Sequence, residues 1–126
     1  MRPENRNPGT LLQMRLAAQR VINFTKGTDL ETFKQDALLQ SAVQHQILII
    51  GEAVSRLSPD FLQAHPDIPW MRIKRMRNTL IHRYDNVDLD IVWGVVIRDA
   101  PALIDLITPI LEAASDPGLS GLSASE

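Results

Sequence analysis

The sequence contains no cysteine, few aromatic residues and no long apolar run, and these absences exclude several classes of protein. Without cysteine there are no disulfides, thiolate metal sites or cysteine nucleophiles. The longest unbroken apolar stretch, residues 47–50, is far shorter than the roughly 20 residues that span a bilayer. The polar N-terminus lacks the apolar segment of a signal peptide. We therefore expect a soluble, cytoplasmic protein with no membrane partner.

The chain also lacks a strong net charge: its formal charge is -2 at pH 7 over 126 residues. Such a balance argues neither for nor against a nucleic-acid partner, so only local clustering of basic residues is informative. The clearest cluster is the segment 72–85, where no acidic residue occurs before Asp85. It also holds His82 and the only tyrosine, Tyr84. We therefore expect the chemistry of the protein to lie in this segment.

No segment alternates with the period of two that marks a strand, and the apolar residues recur at helical spacing instead. Thr10 is expected to cap a first helix. Thr28, with Glu31 three residues later, resembles a capping box that opens a long second helix to about Leu57. Gly51 inside that helix costs roughly 1 kcal/mol relative to alanine, which suggests that another helix backbone approaches it closely.

The second half of the chain predicts three further helical segments. Ser58 followed by proline is expected to cap a short helix, residues 70–82 form the third main helix, and Asp88 caps a fourth. Pro101 and Pro109 are expected to kink or split that last helix. The predicted fold is all-α, a four- to five-helix bundle over residues 10–114. Residues 1–9 are expected to form a flexible N-terminal arm and residues 115–126 a flexible C-terminal tail.

Four signatures occur in order along the chain, and together they resemble the HepT-like branch of the HEPN superfamily of helical ribonucleases. These are Ile50-Gly51-Glu52-Ala53 with Leu57-Ser58-Pro59, Ile68-Pro69-Trp70, the motif from Met76 to Tyr84, and Val87-Asp88 with Ile91-Val92-Trp93. The third carries an arginine, four residues, a histidine, any residue and a tyrosine, here Arg77, His82 and Tyr84. The resemblance covers about residues 11–111, nearly the whole predicted bundle.

The resemblance implies a homodimeric HEPN-type bundle and a metal-independent endoribonuclease without a cofactor. It further implies that the protein is the toxin of a type VII-like toxin–antitoxin pair, with an RNA substrate and a minimal nucleotidyltransferase antitoxin. Arg77 and His82 would be catalytic, with Asn78 and Tyr84 in support. The antitoxin would transfer AMP onto Tyr84, and the two motifs would meet in a cleft across the dimer axis.

The residue types in the motif suit this chemistry. Histidine is able to take the proton of the attacking ribose 2′-hydroxyl or give one to the leaving oxygen, and arginine presents a planar fork to phosphate oxygens. Arg77 and His82 are about 140° apart around a straight helix, so they converge only if the helix ends near His82 or if Arg77 reaches round. A second protomer would supply the second histidine.

Asn78 shares the face of His82 and is expected to orient its ring or hold a backbone turn. An RNA-binding role is assigned to the remaining basic residues, Arg72, Lys74, Arg75 and Arg83.

Simpler interpretations stand beside each of these. Arg77 would also suit an internal ion pair with Glu52, His82 a favourable interaction with the helix dipole, and Tyr84 a half-buried packing role. The other basic residues of the segment would equally suit a solvated face.

No two histidines have metal-ligand spacing with a carboxylate, so no metal site is expected. Trp70 and Trp93 are interpreted as core or interface anchors, and His45 and His65 as non-catalytic. The alternative function is a non-catalytic helical subunit that binds and regulates a nucleotidyltransferase.

Overall fold

The computed structural model describes residues 3–83 and 86–114, and within these ranges it contains helices and no strand. The helices are α1 Pro3–Thr25, α2 Leu30–Lys34, α3 Ala37–Val54, α4 Pro59–Ala64, α5 Trp70–Arg83, α6 Leu89–Gly94 and α7 Ala100–Ala114. A single π-helical turn, Val95–Asp99, joins α6 to α7. The all-α prediction is confirmed. The predicted C-terminal tail, residues 115–126, lies outside the described residues.

The longer helices, α1, α3, α5 and α7, form the predicted bundle. Helix α1 packs against α3 and α7, and α5 packs against α3. One face of α1 is buried through Leu11, Met14, Ala18 and Val21, each no more than 1% exposed. Among the described residues, no helix is both long and apolar enough to cross a membrane.

The first helix begins earlier than the sequence predicted. It starts at Pro3 rather than at Thr10, so residues 3–9 of the predicted flexible arm are helical. Asn7 is buried and bonds to the start of α4: its Nδ2 donates to Ser58 Oγ (3.2 Å), and its Oδ1 accepts from the Ser58 backbone N–H (3.2 Å). The polar composition of this segment did not predict a buried residue, because the partner of Asn7, Ser58, is 51 positions away in the sequence.

The predicted long second helix is interrupted near residue 35, which is a correction to the sequence interpretation. Asp29, rather than Thr28, caps the short α2 by accepting from the Thr32 N–H (2.8 Å). Asp36 then caps α3 by accepting from the Leu39 N–H (2.9 Å). The Gln40 amide donates to the carbonyls of Phe33 (2.9 Å) and Lys34 (3.1 Å), which end α2. An aspartate that favours the cap position thus competes with helix continuation.

The predicted caps of the second half are confirmed. Ser58 Oγ accepts from the Phe61 N–H at the start of α4, and Asp88 accepts from the Asp90 N–H at the start of α6. The last helix is split as expected, by the π-helical turn in which the Ala100 N–H bonds to the Val95 carbonyl. Proline at position 101 lacks an N–H and clashes with the carbonyl four residues earlier, so the regular pattern fails just before it. Pro109, in contrast, lies inside α7.

Candidate functional site

Helix α5 carries most of the predicted site residues and is fixed at both ends. At its start, Trp70 is 8% exposed and its indole N–H lies 3.0 Å from the His65 carbonyl and 3.2 Å from that of Leu62. Near its end, Leu80 is 1% exposed within the core. Trp70 thus fixes the start of α5 to the end of α4, Leu80 fixes its other end in the core, and most of the remaining helix surface is exposed. The prediction of Trp70 as a core anchor is confirmed.

The contact between α3 and α5 is closest at Gly51. A Cβ atom built on Gly51 would overlap the Cβ of Arg77, lie 2.6 Å from its Cγ and lie 3.5 Å from its Cα. Only a residue without a side chain fits here, which confirms that Gly51 accommodates a neighbouring helix. The stem of Arg77 is therefore held between the two helices.

The guanidinium of Arg77 is held by two side chains. Its Nε (3.0 Å) and Nη2 (2.6 Å) both donate to Glu52 Oε1, and its Nη1 donates to Asn78 Oδ1 (2.9 Å). The side chains of Arg77 and Glu52 are 34% and 45% exposed. The ion pair that the sequence offered as a simpler interpretation is thus present. It holds a partly exposed guanidinium at the surface rather than burying it.

His82 is exposed in the last turn of α5, which ends at Arg83. The helix therefore ends near His82, which was one condition for Arg77 and His82 to converge. Asn78 lies four residues before His82 on the same face, and its side-chain oxygen receives the Arg77 guanidinium. Within the part of the chain that the structure describes, no hydrogen bond joins Asn78 to His82. In this structure Asn78 therefore binds the Arg77 guanidinium. An orienting role of Asn78 toward the His82 ring stays a prediction. Tyr84 lies outside the described residues.

The basic residues of the segment separate into two groups. Lys74, Arg75 and Arg83 are exposed and form no ion pair with any other described residue. Arg72 instead pairs with Asp99 through its Nη2 (2.7 Å), and the same Asp99 oxygen accepts from the Arg98 Nε (3.1 Å). Arg72 is therefore partly neutralised, unlike the other three.

A cavity of about 410 Å³ lies beside the motif rather than around it. It is mostly apolar, with Arg72, Arg98 and Asp99 among its lining residues and neither Arg77 nor His82. The sequence alone does not indicate that Asp99 pairs with Arg72 and Arg98, because position 99 is distant from position 72 along the chain. No group of three or more histidine, aspartate or glutamate side chains in the described ranges is placed to hold a metal ion.

Among the remaining aromatic and histidine residues, Trp93 and His65 pack against rings of the fold, and the non-catalytic interpretation of His45 and His65 stays a prediction. The ring of Trp93 lies 5.2 Å from that of Phe33, and the ring of His65 lies 4.4 Å from that of Phe61. His45 is exposed on α3. None of these residues contacts Arg77 or His82 among the described contacts.

Comparison with known proteins identifies the family of the chain. The family model described as Ribonuclease HepT-like matches residues 14–110. The protein named Probable ribonuclease HepT from Thermococcus cleftensis is 40% identical over 87 residues, which are 69% of this chain and 79% of that protein. The protein named Putative RNase MJ0127 from Methanocaldococcus jannaschii is 36% identical over 92 residues, which are 73% of this chain and 76% of that protein. No solved structure gives a significant match. The chain therefore belongs to the ribonuclease HepT-like family.

Proposed function

We propose that the protein is a metal-independent endoribonuclease that cleaves RNA with Arg77 and His82 as catalytic residues. The observation that carries this proposal is the state of Arg77. In a chain of a ribonuclease family, its guanidinium is oriented at the surface by Glu52 and Asn78, on the helix that ends just after the exposed His82. An arginine held in this way is suited to stabilise the negative charge of a phosphorane.

Cleavage begins when the ribose 2′-hydroxyl loses its proton and its oxygen attacks phosphorus. The bond to the 5′-oxygen then breaks, and that oxygen gains a proton. One group must accept the first proton and another must donate the second. The motif of one chain provides a single histidine, so a two-fold dimer that brings two His82 side chains to one cleft supplies both.

Exposed apolar residues on α5 support such a dimer. Met71 and Ile81 are 66% and 43% exposed, and Met71 lies on the same helical face as Asn78 and His82. A large exposed apolar side chain on the face that carries the histidine, with a second beside that face, is consistent with an interface there. The dimer would cover these side chains and bring the two motifs together.

The exposed Lys74, Arg75 and Arg83 provide the positive charge that RNA backbone binding requires. Arg72 contributes less in this state because Asp99 already pairs with it. The expected place of action is the cytoplasm, where cellular RNA is available.

We further propose that the protein is the toxin of a type VII-like pair and that a nucleotidyltransferase antitoxin neutralises it. The Tyr84 hydroxyl oxygen would attack the α-phosphorus of ATP and lose its proton, releasing pyrophosphate and leaving AMP on the ring. The support is the family membership and the place of Tyr84 directly after Arg83 in the chain. AMP at this position would put bulk and negative charge beside the cleft and repel RNA.

The test is expression of the parent, Arg77→Ala and His82→Ala, scored for growth and RNA integrity. We expect the parent to arrest growth and degrade RNA, while both variants fold and do neither. His45→Ala is the matched control, because His45 is exposed on α3 and has no assigned role. If purified His82→Ala cuts RNA as fast as the parent, the mechanism is wrong.

Coexpression with an adjacent nucleotidyltransferase gene tests the pairing. We expect rescue of growth and one AMP mass on Tyr84, and modification at another residue alone would contradict the assignment. If the parent binds the nucleotidyltransferase but neither arrests growth nor cleaves RNA, the non-catalytic regulatory subunit is the better description.

A further inference from the structure

We propose that Glu52 is a positioning residue for RNA cleavage, which holds Arg77 by one edge so that its remaining N–H groups are available to phosphate. This inference rests on the proposed ribonuclease function, because it assigns the orientation of the arginine at that site. Glu52 itself would touch neither RNA nor the reacting atoms.

The hydrogen bonds of Arg77 leave donors available. A guanidinium carries five N–H groups in one plane. One from Nε and one from Nη2 go to Glu52 Oε1, at 3.0 and 2.6 Å, and one from Nη1 goes to Asn78 Oδ1 at 2.9 Å. Within the described part of the chain, one N–H on Nη1 and one on Nη2 therefore have no acceptor. Phosphate oxygens accept paired N–H groups of this kind.

Arg77 is restrained at two points along its length. Gly51 allows the Cβ and Cγ atoms to lie against the α3 backbone, where they have little room to move. Glu52, the next residue on α3, then fixes the far end at the guanidinium. Two adjacent residues of α3, Gly51 and Glu52, thus determine both the position of the Arg77 stem and the orientation of the guanidinium plane.

The exposure of the pair indicates that orientation, rather than stability, is its main effect. With side chains 34% and 45% exposed, the ion pair is partly screened by water. Ion pairs of this kind contribute little to the free energy of folding. A displacement of about 1 Å in a catalytic group, in contrast, costs as much as about a hundredfold in rate.

The experiment compares the parent with Glu52→Gln, Glu52→Ala and the control Asp90→Asn. Asp90 forms a different exposed ion pair, with Lys34 at 3.0 Å, and has no part in the site. We expect Glu52→Ala to lower kcat/KM by about ten- to a hundredfold and Glu52→Gln to lower it less, because the amide retains one acceptor oxygen. Asp90→Asn should match the parent. Thermal unfolding of all variants should remain close to that of the parent.

Two further measurements separate positioning from other roles. The pH–rate profile of Glu52→Gln should keep the shape of the parent profile, because Glu52 transfers no proton. In an Arg77→Lys background, which lacks the planar fork, adding Glu52→Ala should change kcat/KM by less than about twofold, since the two residues act as one unit. Loss of one limb of the pH profile, or a full additional effect in the Arg77→Lys background, would overturn the proposal.

A readout independent of cleavage is the Arg77 Nε–Hε NMR signal, assigned by its absence in Arg77→Lys. It should exchange slowly with water in the parent and in Asp90→Asn and rapidly in Glu52→Ala. If the parent does not cleave RNA, the proposed function fails, and binding of 2′-O-methyl RNA tests the inference instead. If Glu52→Ala and Arg77→Lys then weaken RNA binding equally, the positioning role of Glu52 is supported. If Glu52→Ala changes neither the exchange of the Arg77 Nε–Hε signal nor the affinity for RNA, that role is contradicted.

Discussion

Gly51 lies so close to Arg77 that a methyl group at position 51 would occupy the space of the Arg77 Cβ atom. This contact connects the packing of α3 and α5 to the placement of the proposed catalytic arginine. A change that separates the two helices should therefore affect stability and the site together.

The Gly51→Ala substitution should destabilise the protein. Alanine favours a helix interior over glycine by roughly 1 kcal/mol, but the new Cβ would meet the stem of Arg77 close to its backbone. Overpacking of this kind costs about 1–3 kcal/mol, so the net change in the free energy of unfolding should be negative. Urea unfolding measures it.

Gly9→Ala is the matched control. Gly9 is exposed in α1, and no atom lies within 4 Å of a Cβ built there. Helix propensity alone then applies, so this variant should gain up to about 1 kcal/mol. A Gly51→Ala protein as stable as the parent would contradict the close contact.

Asn7→Ala should destabilise the protein although the residue lies near the N-terminus. Asn7 is 6% exposed, and its removal leaves the buried Ser58 without two of its hydrogen bonds. The expected loss is about 1–3 kcal/mol by thermal or urea unfolding. Asn23→Ala, on the exposed side of the same helix, should change stability by less than about 0.5 kcal/mol. Equal effects of the two substitutions would contradict a folded role for the segment around Asn7.

Asp99→Asn should strengthen RNA binding and make it more sensitive to salt. The substitution removes the charge that pairs with Arg72 and Arg98, so both guanidinium groups become available to phosphate. For single strands, the slope of log K against log salt should steepen by about 0.7 for each phosphate newly contacted. Binding of 2′-O-methyl RNA at several salt concentrations measures this, with Asp90→Asn as a control for net charge. Equal slopes for the two variants would show that Arg72 and Arg98 do not reach RNA.

The cap of α2 should make stability depend on pH in acid. The backbone N–H of Thr32, and then its side chain, hold the pKa of Asp29 below its ordinary value of 3.8. Because the folded pKa is lowered, the contribution of this carboxylate is complete above pH 3.8 and is lost as the pH falls through the folded pKa. Asp29→Asn keeps an acceptor oxygen but cannot ionise, so its stability should lack this part of the pH dependence. An NMR titration of Asp29 with a midpoint at or above 3.8 would contradict the prediction.

Local rules predicted much of the fold. The caps at Ser58 and Asp88 follow from nearby residues, and both are present. The early start of α1 was missed because the partner of Asn7 is distant in sequence. The break before Asp36 was missed because aspartate was interpreted as part of a helix rather than as its cap.

The helical positions of the candidate site residues were predicted better than the contacts that these residues make. Spacing placed Asn78 beside His82 on one helical face, yet the Asn78 oxygen receives the Arg77 guanidinium. Helical angles give the direction in which a side chain leaves the backbone. They do not indicate where the guanidinium at the end of a long arginine side chain lies. The pairing of Arg72 with Asp99 was not predicted either. Asp99 is the last residue of the π-helical turn, and no residue type within that turn predicts it.

That turn has a consequence for the register of the last two helices. A π-helical turn accommodates one residue more than an α-helical turn, and one residue corresponds to about 100° of rotation. Deleting one residue from the segment Val95–Asp99 would remove this extra residue and change the rotation of α7 relative to α6. The faces of α7 that now meet α1 and the cavity would then turn away relative to α6. The π-helical turn thus sets the rotation of α7 relative to α6, so that the apolar faces of both helices are able to pack in the same bundle.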